Sequence, residues 1–183
     1  RILTSLEWMK IQKGIKQRSI AINAFLTDIY HKAEIIKANI IPEKLIYKNP
    51  AYDIKMVGFK VPKNIYSPII GTDIIRTDEK NFKVLEDNCR TPSGVSYMME
   101  NREIMMRMFP ELFENLNIES VDNYPSYLVD ILKSLAPRKC EKEPNIVILT
   151  PGHLNSAYYE HSLLADLMGV ELVQGSDLFV KNN

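Results

Sequence analysis

Trp8, Ile11, Ile15, Ile22, Phe25 or Leu26, and Ile29 recur at the three- and four-residue spacing of one face of an α-helix. Thr4, followed three residues later by Glu7, is a capping-box pair, so the pattern predicts a helix over 5–30. Gly14 inside it costs about 1 kcal/mol relative to alanine. Shorter helical pieces follow at 32–38 and 42–47, the second opened by Pro42 in its first turn, before Asn49-Pro50 breaks the run. The stretches 69–77 and 82–88 then read as strands, joined by the polar loop Asp78-Glu79-Lys80-Asn81 into a hairpin. Thr91-Pro92-Ser93-Gly94 is a turn opening a helical run through Tyr97, Met98, Ile104, Met105 and Met108 that Pro110 interrupts. Another helix is expected at 125–136, stopped by Pro137.

The last part changes character. A buried-type strand at 145–149, a helix at 156–168 closed by Gly169, and a strand at 170–173 predict a βαβ unit with parallel pairing. Residues 178–180 are a candidate third strand. A polar stretch between Pro137 and Pro144 suggests a boundary, giving domains 1–137 and 138–183. The expected fold class mixes α+β and α/β: an antiparallel hairpin among helices, then a βαβ segment.

Composition narrows the function classes. The 183 residues are 45% hydrophobic and 25% charged, ordinary for a globular chain. Lysine plus arginine number 23 and aspartate plus glutamate 23, so no net charge favours nucleic acid or an anionic membrane as partner. No apolar run approaches the roughly 20 residues that span a bilayer, and no signal peptide is visible. Cys89 and Cys140 fit no metal spacing or disulfide framework, which makes a reducing cytoplasm the plain expectation. The chain opens on Arg1 rather than methionine. It closes on Lys181-Asn182-Asn183 directly after an apolar run, so an interior excerpt of a longer chain is expected.

The hairpin carries the chemistry. A loop centred between Glu79 and Lys80 puts Asp73 directly opposite Glu86, and Asn88 shares the face of Glu86. Like charges placed opposite one another are destabilising. A divalent cation would reverse that sign, and Mg²⁺ takes oxygen ligands of this kind together with phosphate oxygens and water. The competing reading is a solvated acidic face. Arg90-Thr91-Pro92-Ser93-Gly94 sits between strand end and helix start, where free N–H groups favour anions and Arg90 can clamp a carboxylate or phosphate; an ordinary N-capped turn is the alternative. His153 reads as a surface-loop residue, His161 as packed or solvated, and His31 as complementing a helix C-terminus. The methionines from Met98 to Met108 read as core.

Three runs resemble the circularly permuted ATP-grasp proteins: Gly71-Thr72-Asp73-Ile74-Ile75-Arg76, Val84-Leu85-Glu86-Asp87-Asn88-Cys89-Arg90-Thr91-Pro92-Ser93-Gly94-Val95-Ser96-Tyr97, and Glu100-Asn101-Arg102. Glutathionylspermidine synthase-like enzymes share the sparser pattern of Asp, Glu-x-Asn and Thr-Pro. The similarity extends back to Asn23-Ala24-Phe25-Leu26 and forward through Leu149-Thr150-Pro151-Gly152 to Glu160-His161. It implies a partial ATP-grasp core followed by a pre-ATP-grasp-like segment. It also implies an ATP- and Mg²⁺-dependent ligase joining a small-molecule acid to an amine through an acyl phosphate. Asp73, Glu86 and Asn88 would hold Mg²⁺ against the ATP phosphates. Thr91, Ser93, Ser96 and Arg102 would contact the acid, with Arg90 as the candidate catalytic cation. Glutathionylspermidine synthase-like enzymes carry arginine where this chain has Gly71, which puts that particular activity in doubt. Cys89 stands where close relatives are usually aliphatic. The lysines covering ATP would follow this segment in the permuted order. The alternative function is a noncatalytic nucleotide- or partner-binding scaffold of the same fold.

Overall fold

The computed structural model describes residues 2–79 and 81–181. Arg1, Asn182, Asn183 and the predicted loop residue Lys80 lie outside the described residues. The chain divides into two compact units, Arg1–Pro92 and Ser93–Asn183. The boundary expected near 137–144 therefore falls inside the second unit.

In the first unit the predicted long helix is α1, Ser5–Tyr30. Its start is fixed as the capping box requires. The Glu7 N–H donates to Thr4 Oγ1 at 3.3 Å, and the Thr4 N–H donates back to Glu7 Oε2 at 2.9 Å. Ile11, Ile29 and Tyr30 are the buried positions of its apolar face. Both Asp28 oxygens reach past the helix end, accepting the Glu34 and Ile35 N–H groups at 2.9 Å each. They satisfy donors that open α2, Glu34–Lys37. The short helix α3, Glu43–Tyr47, follows, with Pro42 one position earlier than predicted, as its extended N-cap. Tyr30 stacks between Tyr52 and Tyr66, with ring centroids 5.0 and 5.6 Å away. Two 3₁₀ turns at Ile54–Met56 and Pro62–Asn64, unforeseen from sequence periodicity, carry the chain past these rings.

Asn23 of α1 ties that path down. Its Oδ1 accepts the Tyr66 and Ser67 N–H groups at 2.8 and 3.0 Å, and its Nδ2 donates to the Ser67 and Ser19 carbonyls, each at 3.1 Å. The buried Ser67 hydroxyl then donates to the Cys89 carbonyl at 3.0 Å.

The hairpin consists of β1, Gly71–Arg76, and β2, Phe82–Asn88, paired antiparallel. The strand expected from residue 69 begins at Gly71, because its partner ends at Asn88, which lies opposite Gly71. Near the loop, Phe82, Lys83 and Val84 face Arg76, Ile75 and Ile74, the register of a turn centred on Glu79. Between Ile74 and Asp73 the register shifts, and Leu85 is the extra residue on β2. Beyond this bulge Asp73 faces Glu86. The Arg76 guanidinium pairs with Glu7 of α1 and lies 4.6 Å over the Phe82 ring.

In the second unit, α4 (Val95–Met108) and α5 (Pro110–Asn115) are separated where Pro110 interrupts the run. The helix α6, Tyr124–Ser134, buries Pro125 and Leu128, and ends two residues earlier than predicted as Pro137 approaches. Strand β3, Val147–Leu149, pairs parallel to β4, Glu171–Val173, with α7, Tyr158–Met168, between them. Gly169 closes α7 at φ 65°, as a left-handed C-cap. The candidate third strand at 178–180 does not form. A 3₁₀ turn at Gly175–Asp177, closed by the Gln174 and Asp177 side chains, diverts the chain, and Leu178–Val180 pairs with no strand among the described residues.

Two predictions follow from the first unit. Replacing Asn23 with alanine leaves the Tyr66 and Ser67 backbone groups without their partners and should cost about 2–4 kcal/mol by urea denaturation. The Arg76 side chain and the Thr4 N–H hold the Glu7 carboxyl at about 2, against an ordinary 4.5. A lowered carboxyl pKa contributes stability that is complete above about 4.5 and disappears as pH falls through about 2. Glu7→Gln keeps the capping box but loses the ion pair. Its stability deficit should therefore be constant from pH 7 to about 4.5 and vanish towards pH 2 in urea titrations.

Candidate functional site

Alternation along β2 sorts its acidic side chains onto two faces. Asp87 turns towards α1. Its Oδ2 accepts from Arg18 Nε at 2.6 Å and its Oδ1 accepts the Thr72 hydroxyl at 3.0 Å. Glu86 and Asn88 consequently share the other face, where Asp73 lies across the ladder from Glu86. Asn88 Nδ2 donates to Glu86 Oε1 at 3.3 Å. Among the described residues neither Asp73 nor Glu86 has a basic partner.

This arrangement answers whether the residues suit a divalent cation. Two carboxylates stand directly opposite each other, an arrangement that repels. The Asp73 and Glu86 carboxylates offer oxygens, the ligand type Mg²⁺ prefers, and the Asn88 amide carries a further one. Among the described residues no group of three or more His, Cys, Asp or Glu side chains gathers as a cation site. On that face the hairpin presents two opposed carboxylates with the Asn88 amide beside them.

Next along the chain come the turn residues. Pro92 rests on Gly71: a Cβ at Gly71 would meet Pro92 Cβ at 2.9 Å. Glycine at 71 thus has a steric reason, and an arginine there would require the turn to move. Arg90 and Thr91 are exposed, and their side chains have no hydrogen-bond or ionic partner among the described residues. Cys89 is half-buried, its Sγ near the Asp87 carbonyl at 3.8 Å.

In the second unit, Ser93 is exposed and likewise unpartnered among the described residues. Ser96 is fully buried at 0% exposure, and its hydroxyl donates to the Glu160 main-chain carbonyl at 3.1 Å. Arg102 Nη1 donates to the Glu119 carbonyl at 2.6 Å, with its guanidinium 5.9 Å from the Phe113 ring centre. The Gly94 N–H, expected to be open to an anion, is already taken by both carboxylate oxygens of Glu160, at 2.7 and 2.9 Å. Sequence reasoning gave Glu160 no role of its own. The one signal was an acidic residue on the packed side of a helix. His161 is packed, its Nδ1 3.0 Å from Thr150 Oγ1.

The family model described as circularly permuted ATP-grasp type 2 matches residues 1–183, and the chain belongs to that family. Among its relatives, an uncharacterized protein of Mycobacterium leprae is 45% identical over the whole chain, which spans 32% of that protein. An uncharacterized protein of Synechocystis is 46% identical over 98% of the chain, which matches 37% of that protein. A Frankia casuarinae protein, provisionally named glutamate–cysteine ligase 2-2, is 37% identical over the whole chain and is matched over 21% of its length. The chain thus spans about a third or less of most of these relatives. Among the described residues no helix is long and apolar enough to cross a membrane.

Removing one of the opposed charges provides a direct test of the pair. In EDTA, Asp73→Asn should raise stability by about 0.2–1 kcal/mol, because the repulsion with Glu86 is lost. In millimolar Mg²⁺ the wild type should gain more than the variant, closing or inverting that difference in paired thermal melts.

Proposed function

We propose that this chain carries the metal- and acid-binding part of an ATP-dependent carboxylate–amine ligase. The observation that carries this reading is the Asp73–Glu86 pair, opposed across the ladder, unneutralised by any described basic residue, and flanked by Asn88. In this reading Asp73, Glu86 and Asn88 hold Mg²⁺ with ATP. When bound, the ion supplies charge neutralisation around the transferring phosphoryl group.

The reaction begins as an oxygen of the substrate carboxylate attacks the γ-phosphorus of ATP, forming an acyl phosphate as ADP departs. The nitrogen of the amine then attacks the acyl carbon. Phosphate leaves, the amine proton is released and an amide remains. Arg90, exposed and uncommitted, is the cation suited to steady the carboxylate or the phosphoryl oxygens in bidentate fashion. The Thr91 and Ser93 hydroxyls are free to donate to the acid. Ser96 and Arg102 contribute through α4, since both already spend donors on backbone carbonyls. The relatives provisionally named glutamate–cysteine ligases make L-glutamate and L-cysteine the first pair to try. A cytoplasmic supply of ATP suits this chemistry.

The test uses the full-length protein that contains this chain. ADP release is measured with ATP, Mg²⁺ and pooled acids and amines, starting with glutamate and cysteine. Acid-dependent ADP release is expected, with kcat lowered about 10²-fold or more in Asp73→Asn, the scale for losing one preorganised electrostatic contact. Full turnover in that variant would remove the metal assignment. No ADP release from any pool would leave a noncatalytic nucleotide- or partner-binding scaffold as the function.

A further inference from the structure

Among the described residues Glu160 is the one charged residue that is buried, at 4% exposure. No lysine, arginine or histidine among the described residues forms an ion pair with it. Taking a carboxylate out of water without a cation is costly, so its retention calls for a compensating role. Its contacts point to that role. Both carboxylate oxygens accept the Gly94 N–H, at 2.7 and 2.9 Å, while its main-chain carbonyl accepts the Ser96 hydroxyl at 3.1 Å. One residue of α7 therefore engages two donors at the start of α4.

Helix starts are ordinarily capped by the side chain of the N-cap residue itself. Here the N-cap is Gly94, which has no side chain and sits at φ 98°, and no side-chain cap forms locally. Glu160, from another helix, instead accepts the N–H of the N-cap residue itself, as a charge-assisted hydrogen bond that fixes the turn entering the helix. Burial raises the pKa of the nearby Tyr124 hydroxyl, and the Glu160 charge adds to that shift. Immediately before Gly94 stands Ser93, exposed and uncommitted.

We propose that Glu160 is a positioning residue. Its buried carboxylate locks the left-handed turn at Gly94 and thereby holds Ser93 in the orientation in which it meets the acid substrate. The role of Ser93 rests on the ligase reading above; the lock itself does not.

The experiment has two arms, both on the full-length protein. The first compares hydrogen–deuterium exchange in wild type, Glu160→Gln and Glu160→Ala. At least tenfold faster exchange is expected at amides 94–97 in the alanine variant, with hairpin peptides 71–88 unchanged. Wild-type exchange at 94–97 would overturn the lock. The second measures ADP release with whichever pooled acid gives turnover, starting with L-glutamate. The KM for the acid should rise tenfold or more in Glu160→Ala, with the KM for ATP unchanged and Glu160→Gln restoring part of the loss. An unchanged acid KM, or acid and ATP KM values rising together with a lowered Tm, would overturn the positioning role. If the wild type releases no ADP with any acid, the ligase reading and the Ser93 role fall together, and the exchange result still decides the lock.

Discussion

The first unit depends on the side-chain amide of Asn23. It uses both its donor and its acceptor ends on the main chain, fastening the Tyr66–Ser67 segment to α1. Ser67 passes the constraint on through its hydroxyl to the Cys89 carbonyl, one residue before Arg90. A single polar residue on a helix thus fixes both the entry to β1 and the exit from β2. Arg18 and Arg76 add ionic ties from α1 to either strand, at Asp87 and through Glu7. With Asp87 committed to the helix, strand alternation leaves Glu86 and Asn88 no choice but the opposite face, beside Asp73.

Legibility in the sequence followed the range of the interactions. The bounds of α1 were readable because the capping box and the three-to-four-residue period are local. The βαβ unit was readable because its turns and the left-handed Gly169 leave local marks. The pairing of Asp73 with Glu86 was anticipated, but from a loop centre displaced by half a residue, and the Leu85 bulge restores the pairing. Nothing local announces a bulge, since it depends on how two strands twist against each other. The 3₁₀ turns of the first unit and the fate of 178–180 were illegible for a similar reason: each is set by what packs or pairs nearby. Glu160 is the clearest case, since its partner Gly94 lies far away in the sequence and glycine gives no hint of a cap arriving from elsewhere.

The two units fix their turns by different means. At the start of α4 a buried carboxylate holds the backbone by attraction, and the charge it brings also removes the Gly94 N–H from competition for anions. The Thr91 and Ser93 hydroxyls and the Arg90 guanidinium, by contrast, have no partner among the described residues.

Gly71 works in the contrary way. It fixes Pro92 by a missing atom, because the proline ring occupies the space a Cβ would fill. Attractive ties such as Glu7–Arg76 weaken with acid and salt, whereas a steric stop has no charge to titrate or screen. The turn therefore has a mechanical reference that is indifferent to pH and ionic strength. The same feature gives position 71 a one-way character: any side chain added there obliges the turn at Pro92 to shift, and no charge or solvent condition can offset that displacement.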